Sequence, residues 1–194
     1  SEQSSKKLIF SYIGRRCKRE PVSKIIGEKF FWKDSFFVNS DVLDPRPDSE
    51  VIIESVIKYY SFSDKEVSII DIGTGSGALL LSLLGEFPKS RGLGVDISLS
   101  AINIAKKNSV KNRLSNRSNF AVMDWCGGIK AKFDIIISNP PYIPSSEIQS
   151  LAPEVRFYDP EIALNGGEDG TKYIEIILNI IPKILRIGGF AVIE

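Results

Sequence analysis

The sequence predicts an α/β fold: a doubly wound, mostly parallel sheet with helices on both faces and a small β-hairpin ahead of it. Three observations carry that reading. From residue 67 onward, short apolar runs alternate with stretches of helical periodicity, the pattern of successive strand–helix units. Runs such as Phe133-Asp134-Ile135-Ile136-Ile137-Ser138 are nearly continuous in apolar residues, as strands covered on both faces are. A chain of 194 residues with 43% hydrophobic content is long and apolar enough for one main domain with a substantial core.

Residues 8–20 show weak helical periodicity with a basic end, and Pro21 stops them. Two runs rich in Phe, Ile, Val and Trp, 24–32 and 35–39, flank Lys33-Asp34 and predict a hairpin. A helix begins at Pro47, where Asp48, Ser49 and Glu50 supply caps and first-turn acids ahead of apolar residues 51, 52, 53, 56 and 57. Strand 67–72 then leads through a glycine turn into a helix over 76–86. Strand 92–96 precedes a helix over 98–110, strand 119–123 ends in a turn, and strand 133–138 ends in a long loop. A helix over 171–186 and a strand over 189–194 complete the series. The chain thus divides into residues 1–22, a hairpin linker over 23–40 and a main domain over 41–194. Doubly wound sheets bind ligands beyond the carboxyl ends of their strands, and the motifs below fall there.

The chain contains no histidine, which excludes a Ser-His-Asp triad, a Cys-His pair, a His-based zinc site and an imidazole base. A net charge of +1 indicates no polyanion-binding surface, so no direct nucleic-acid partner is expected. Cys17 and Cys126 lie far apart without metal-ligand spacing and fit structural thiols in a reducing compartment; no metal is expected. The longest apolar run, Ala78 to Leu84 with Ser82 inside it, is too short to span a bilayer, and residues 1–7 form no signal core. The expectation is a soluble, cytoplasmic protein with no membrane partner.

Four sites carry chemistry. The first is Asp71-Ile72-Gly73-Thr74-Gly75-Ser76-Gly77-Ala78, at the first strand–helix junction. Alternate glycines let the backbone turn tightly and approach a ligand, and the helix start offers free N–H groups. The plain alternative is a tight turn that binds nothing, although three glycines then cost stability without a use. The spacing Gly-x-Gly-x-Gly departs from the dinucleotide fingerprint Gly-x-Gly-x-x-Gly and counts against a nicotinamide cofactor. The second is Asp96, 19 residues beyond Gly77 at the end of the next strand, where an acid accepts from ribose hydroxyls or else caps the following helix. Together the two point to an adenosine-containing ligand.

The third is Met123-Asp124-Trp125, at the end of the third strand. Asp124 can accept from an exocyclic amine and Trp125 can offer its face to an adenine ring, although a strand-ending acid and a core Trp are both common. The fourth is Asn139-Pro140-Pro141-Tyr142, directly after the fourth strand. Its prolines fix the backbone and remove two donors, which leaves carbonyls free as acceptors beside the Asn139 carboxamide. Tyr142 closes the site with a flat face. Such acceptors suit a planar NH₂ group, holding both hydrogens while its lone pair faces an electrophile; the alternative is a rigid turn.

In this order and spacing, the four sites resemble the class I S-adenosylmethionine-dependent methyltransferases, a Rossmann-like fold. The Asn139-Pro140-Pro141-Tyr142 form is similar to the branch that methylates planar nitrogens. Two stretches narrow it: Val42-Leu43-Asp44-Pro45-Arg46-Pro47-Asp48-Ser49-Glu50, and Pro160-Glu161-Ile162-Ala163-Leu164-Asn165-Gly166-Gly167-Glu168-Asp169-Gly170. Both resemble segments of the HemK/PrmC-type peptide chain release factor glutamine methyltransferases, from about Glu20 to Glu194. The resemblance implies S-adenosylmethionine bound by Asp71, by Gly73, Thr74, Gly75, Ser76 and Gly77 of the loop, and by Asp96, Asp124, Trp125 and Asn139. It implies a glutamine amide of a release factor held by Asn139, Pro140, Pro141 and Tyr142, with Asn139, Pro140 and Tyr142 as the catalytic set. Asp44 stands where that family usually has an aliphatic residue, and Met123 and Cys126 depart from its pattern around Asp124-Trp125. The family also has an amino-terminal helical domain, of which residues 1–22 would be a remnant, and a further hairpin after the fifth core strand. The expectation is therefore a fragment truncated after that strand. A nucleic-acid amine, a ribosomal-protein glutamine, or a binding-only role are the competing readings.

Overall fold

A computed structural model describes residues 2–60 and 66–194. Helix α1 (Glu2–Cys17) and the short α2 (Val22–Ile26) lead into an antiparallel hairpin, β1 (Glu28–Phe31) and β2 (Asp34–Phe37). After a 3₁₀ turn at Pro47–Ser49 come α3 (Glu50–Tyr59), β3 (Ser68–Ile72), α4 (Ala78–Glu86), β4 (Arg91–Asp96) and α5 (Leu99–Lys111). They are followed by β5 (Ser118–Val122), β6 (Phe133–Ser138), the short α6 (Pro153–Arg156), α7 (Lys172–Ile184) and β7 (Leu185–Ile193).

The sheet is five-stranded and parallel, in the order β5-β4-β3-β6-β7. The chain steps outward from β3 to β5 and then returns to β6 on the other side of β3. The strand order therefore reverses between β3 and β6, and the loops after these two strands flank the crevice where doubly wound sheets take ligands. Those loops carry the alternate glycines and Asn139.

Strand alternation sorts the core into two faces. Ile69 of β3 and Ile135 and Ile137 of β6 pack with Ile52, Ile53 and Val56 of α3 and with the buried leucines of α4. Ile70 and Ile72 of β3, Val95 of β4 and Ile136 of β6 pack with Ile177 and Ile184 of α7 on the other face. Burial pushes the Cys126 thiol up to about 11, so it stays a neutral core group, whereas Cys17 is exposed. Among the described residues, no helix is long and apolar enough to cross a membrane.

Three boundaries differ from the sequence expectation by more than three residues. Helix α1 begins at Glu2 rather than at residue 8. The apolar run at 24–32 does not begin as a strand: residues 22–26 are helical, and β1 starts only at Glu28. Pro21 fixes the entry to that helix and Gly27, at φ +78°, ends it, while Lys24 turns its side chain inward to buried carboxylates. The last strand starts at Leu185 rather than 189, because α7 passes into it without a loop and a register shift absorbs the extra residues beside Phe133 and Ile135.

Candidate active site

A cavity of about 430 Å³ lies over the carboxyl ends of β3, β4 and β6, within the size range of small-molecule sites. The β3–α4 loop forms its floor. Gly73, Gly75 and Gly77 sit at φ +75°, +53° and +79°, conformations that a residue with a Cβ adopts only under strain. A Cβ built on Gly73 or Gly75 would meet nothing within 4 Å, and both residues line the cavity. The loop is pinned from below by the Gly73 and Thr74 N–H groups, each donating to the Val95 carbonyl at 2.9 Å.

Two carboxylates brace this loop. Asp71 is fully buried beneath it and accepts from the Thr74 hydroxyl at 2.7 Å. Burial, opposed by that hydrogen bond and reinforced by the nearby Asp96, pushes its carboxyl up to about 7. Asp96 lines the cavity and accepts the Gly75 N–H on Oδ2 and the Ser98 N–H on Oδ1, both at 2.9 Å. Its carboxyl is also raised, by burial that outweighs these N–H donors. Asp96 thus joins the tip of β4 to the glycine loop, and with three backbone N–H groups on its two oxygens, those of Gly75, Ile97 and Ser98, it still has acceptor capacity for a ligand hydroxyl.

The opposite wall comes from the loop after β6. The Asn139 Nδ2 donates to Ser49 Oγ at 3.0 Å, across 90 residues of sequence. Both residues line the cavity, as does Pro141. Pro140 is buried, and among the described residues no backbone or side-chain donor reaches its carbonyl. Tyr142 is 47% exposed, with its hydroxyl donating to Glu194 Oε1 at 3.4 Å. Burial and the Glu194 carboxylate both raise the phenol.

The glycine-rich stretch after α6 has its purpose here. The Ile143 N–H donates to the Leu164 carbonyl and the Gly166 N–H to the Ile143 carbonyl, so this segment runs alongside the chain leaving Asn139. A Cβ on Gly166 would lie 2.7 Å from Tyr142 Cα, and one on Gly170 only 2.3 Å from the Tyr142 carbonyl oxygen. Only glycine permits that approach.

A buried ionic clasp closes the outer side. Lys24 Nζ lies 3.1 Å from both Asp44 Oδ1 and Asp159 Oδ1, with all three side chains at most 7% exposed. Lys24 also donates to the carbonyls of Asn39 and Val42, Ser23 donates to Asp44, and Arg46 Nη2 pairs with Asp159 Oδ2 at 2.7 Å. The clasp joins segment 39–46 to the chain around Asp159, and Asp44, Arg46 and Pro160 line the cavity between them. Asp44, the departure from the family pattern, is the counter-ion that a buried Lys24 requires.

Asp124 and Trp125 also line the cavity. One face of Trp125 is taken by Tyr173, stacked at 4.8 Å with an interplanar angle of 29°. Trp125 adopts φ +50°, which is rare for an aromatic residue. Of the sequence-derived candidates, Gly73, Thr74, Gly75, Ser76, Asp96, Asp124, Trp125, Asn139 and Pro141 line the cavity. Asp71 and Gly77 lie beneath it: a Cβ on Gly77 would press on Ala105 at 3.2 Å, so that glycine serves helix packing. Pro140 and Tyr142, two of the three residues expected to form the catalytic set, are not among the lining residues. Sequence reasoning missed Tyr173, a lone aromatic at a helix start, and took Ser49 for a helix cap. The Ser49 hydroxyl makes no cap hydrogen bond and meets Asn139 instead.

The profile of the methyltransferase small domain matches residues 46–156, more than half of the chain. The chain belongs to that family. The matched span of the methyltransferase small domain holds the glycine loop, Asp96 and Asn139. Among curated proteins, the release factor glutamine methyltransferase of Caulobacter vibrioides is 42% identical over 184 residues, covering 94% of this chain and 63% of that protein. The bifunctional methyltransferase of Rickettsia bellii is 36% identical, covering 93% of this chain and 37% of its own length. The chain thus spans less than two thirds of these relatives. Among solved structures, the SAM-dependent methyltransferase from Agrobacterium tumefaciens aligns with a TM-score of 0.59 at 17% identity, covering 86% of this chain and 51% of its own. The hMettl16 catalytic domain aligns at 0.63 and 19% identity, covering 78% of this chain and 58% of its own. These two establish the fold, an α/β methyltransferase architecture.

Proposed function

We propose that this chain carries the catalytic part of an enzyme that transfers a methyl group from S-adenosylmethionine to the side-chain amide nitrogen of a glutamine in a peptide chain release factor. The observation that carries the reading is the shared cavity: the glycine loop with Asp96 on one wall, and the Asn139 carboxamide on the other. The names of relatives at 42% identity supply the substrate.

The residues present suit the methyl donor. Gly73 and Gly75 leave room for a ligand against bare backbone, Asp96 retains acceptor capacity for ribose hydroxyls, and Trp125 and Tyr173 offer aromatic surface. When bound, the donor supplies an electrophilic methyl on a positively charged sulfur.

The chain's own task is orientation. A glutamine amide is a poor nucleophile, because its lone pair is conjugated with its carbonyl. Asn139 Oδ1 and the Pro140 carbonyl are acceptors for the two amide hydrogens, and holding both aims the nitrogen across the cavity. As the N–C bond forms and the methyl–sulfur bond breaks, positive charge grows on the nitrogen. These fixed acceptors then bind more strongly than in the ground state. The proton leaves to solvent after transfer, so the absence of histidine from the sequence is no obstacle. Orientation of this kind lowers barriers by about 7–11 kcal/mol.

A labelled methyl donor, offered with a release factor, a ribosomal protein or DNA, tests the reading. Label on a release-factor glutamine is the expected result. Label only on DNA or on the ribosomal protein would overturn the substrate, and donor binding by calorimetry without any transfer would reduce the chain to a binding role.

A further inference from the structure

We infer that Ser49 is a positioning residue for the transfer step: its hydroxyl anchors the Asn139 carboxamide by Nδ2, the arrangement that leaves Oδ1 for the incoming amide. The inference rests on the catalytic reading of Asn139 above.

Ser49 occupies the N-cap position of α3, where a serine hydroxyl ordinarily accepts a backbone N–H two or three residues on. That bond is absent. The 3₁₀ turn at Pro47–Ser49 feeds straight into α3, so Ser49 has φ −69° and ψ −12°, helical values that turn Oγ away from the cap. The hydroxyl points instead across the cavity wall and accepts from Asn139 Nδ2 at 3.0 Å, with Ser49 only 3% exposed. Because the 3₁₀ turn already continues into α3, the hydroxyl has no cap role to fill and is available to Asn139.

The consequence for Asn139 is specific. A carboxamide has a donor end and an acceptor end related by a half-turn, and a target NH₂ group can be held only by the acceptor end. A hydroxyl can accept from Nδ2 or donate to Oδ1; here Ser49 accepts from Nδ2, and Oδ1 is the end left for the cavity. Without Ser49, the carboxamide loses this anchor and turns more readily to present two donors to a group that itself carries two donors. The substrate site would then repel its substrate in a fraction of molecules. Arg46, three residues earlier, is tied to Asp159, which anchors the segment that delivers Ser49.

The test compares wild type with Ser49→Ala, Ser49→Cys and Ser49→Thr. Cysteine keeps the size of serine with a weaker acceptor, and threonine keeps the hydroxyl. Thermal melts accompany each variant. Turnover on a glutamine substrate should fall about three- to tenfold in Ser49→Ala, the worth of one neutral hydrogen bond. Ser49→Cys should lie between, and Ser49→Thr should restore most of the rate. Donor affinity should change less than about twofold throughout, because Ser49 acts on the acceptor side of the cavity. Independently of any activity, the ¹⁵N side-chain resonances of Asn139 should move in Ser49→Ala and Ser49→Cys and stay near their wild-type positions in Ser49→Thr. Unmoved Asn139 resonances in the alanine and cysteine variants overturn the inference. So does unchanged turnover in a folded Ser49→Ala protein. If wild type itself transfers no methyl group, the catalytic reading fails, and the Asn139 resonances still decide whether Ser49 holds the carboxamide.

Discussion

The two walls of the cavity are built by different means. In the glycine cradle, the carboxylates of Asp71 and Asp96 are met by neutral donors: the Thr74 hydroxyl and the N–H groups of Gly75 and Ser98. Asp71 and Thr74 are three residues apart, Asp96 and Ser98 two, and even Asp96 and Gly75 are joined by one strand–helix–strand step. In the outer wall, Asp44 and Asp159 are met by cations, and the partners come from distant parts of the chain, Arg46 and Asp159 being 113 residues apart. The cradle is a product of geometry within the β3–α4–β4 unit. The clasp needs segments from distant parts of the chain. Its stability and the cradle's ligand affinity should therefore respond to different substitutions.

The largest expected effect tests the clasp. Lys24→Met removes the cation that two buried carboxylates share, and losing one partner of a buried ionic group costs about 3–5 kcal/mol. Urea denaturation of variant and wild type measures it; a loss below about 1 kcal/mol would make the clasp no more than a surface ion pair. Next comes the catalytic wall. Asn139→Ala should lower turnover roughly a hundredfold or more, the scale for removing one fixed polar group from a developing charge, while donor affinity changes much less. Near-normal turnover would take Asn139 out of the mechanism.

The cradle should answer through binding. Asp96→Ala removes the acceptor proposed for the ribose hydroxyls, and hydrogen bonds to charged groups contribute about 1.5–3 kcal/mol, so calorimetry should find donor affinity down roughly tenfold or more. Unchanged affinity in a folded variant would leave Asp96 as a brace for Gly75 alone. The smallest effect is a pH dependence. Folding raises the Asp71 carboxyl from 3.8 to about 7, so in that interval the folded chain holds a proton that the unfolded chain has released. Stability from this group is complete below the lower value and falls as pH rises through the upper one. Between roughly pH 6 and 8 the loss should be about 1 kcal/mol, and Asp71→Asn, which keeps an acceptor for Thr74, should flatten it. Parallel melting curves for the two proteins across that range would remove the effect.

Legibility followed the same division. The strand–helix alternation from residue 67 onward, the glycine turn and the position of Asp96 were readable because each depends on side-chain period, backbone freedom or short spacing. Strand β6 over 133–138 falls where the apolar run places it. The helix at 22–26 was hidden inside an apolar run, because Lys24 turns inward to carboxylate partners that lie 20 residues away and beyond. Ser49 read as a cap because a serine before an apolar helix usually is one. Its diversion to Asn139 depends on how β6 docks beside α3. Tyr173 gave no signal at all, since only packing brings it against Trp125.

The sequence by itself determined the α/β class, the two loops that flank the reversal of strand order, and the chemistry each can offer, because periodicity and glycine placement act over a few residues. Only the tertiary structure decided what engages the Asn139 carboxamide, what holds the outer wall of the cavity, and where Asp44 finds a cation. Those outcomes depend on charges and hydrogen-bonding groups that must find partners once folding removes them from water, and the partners lie far away along the chain.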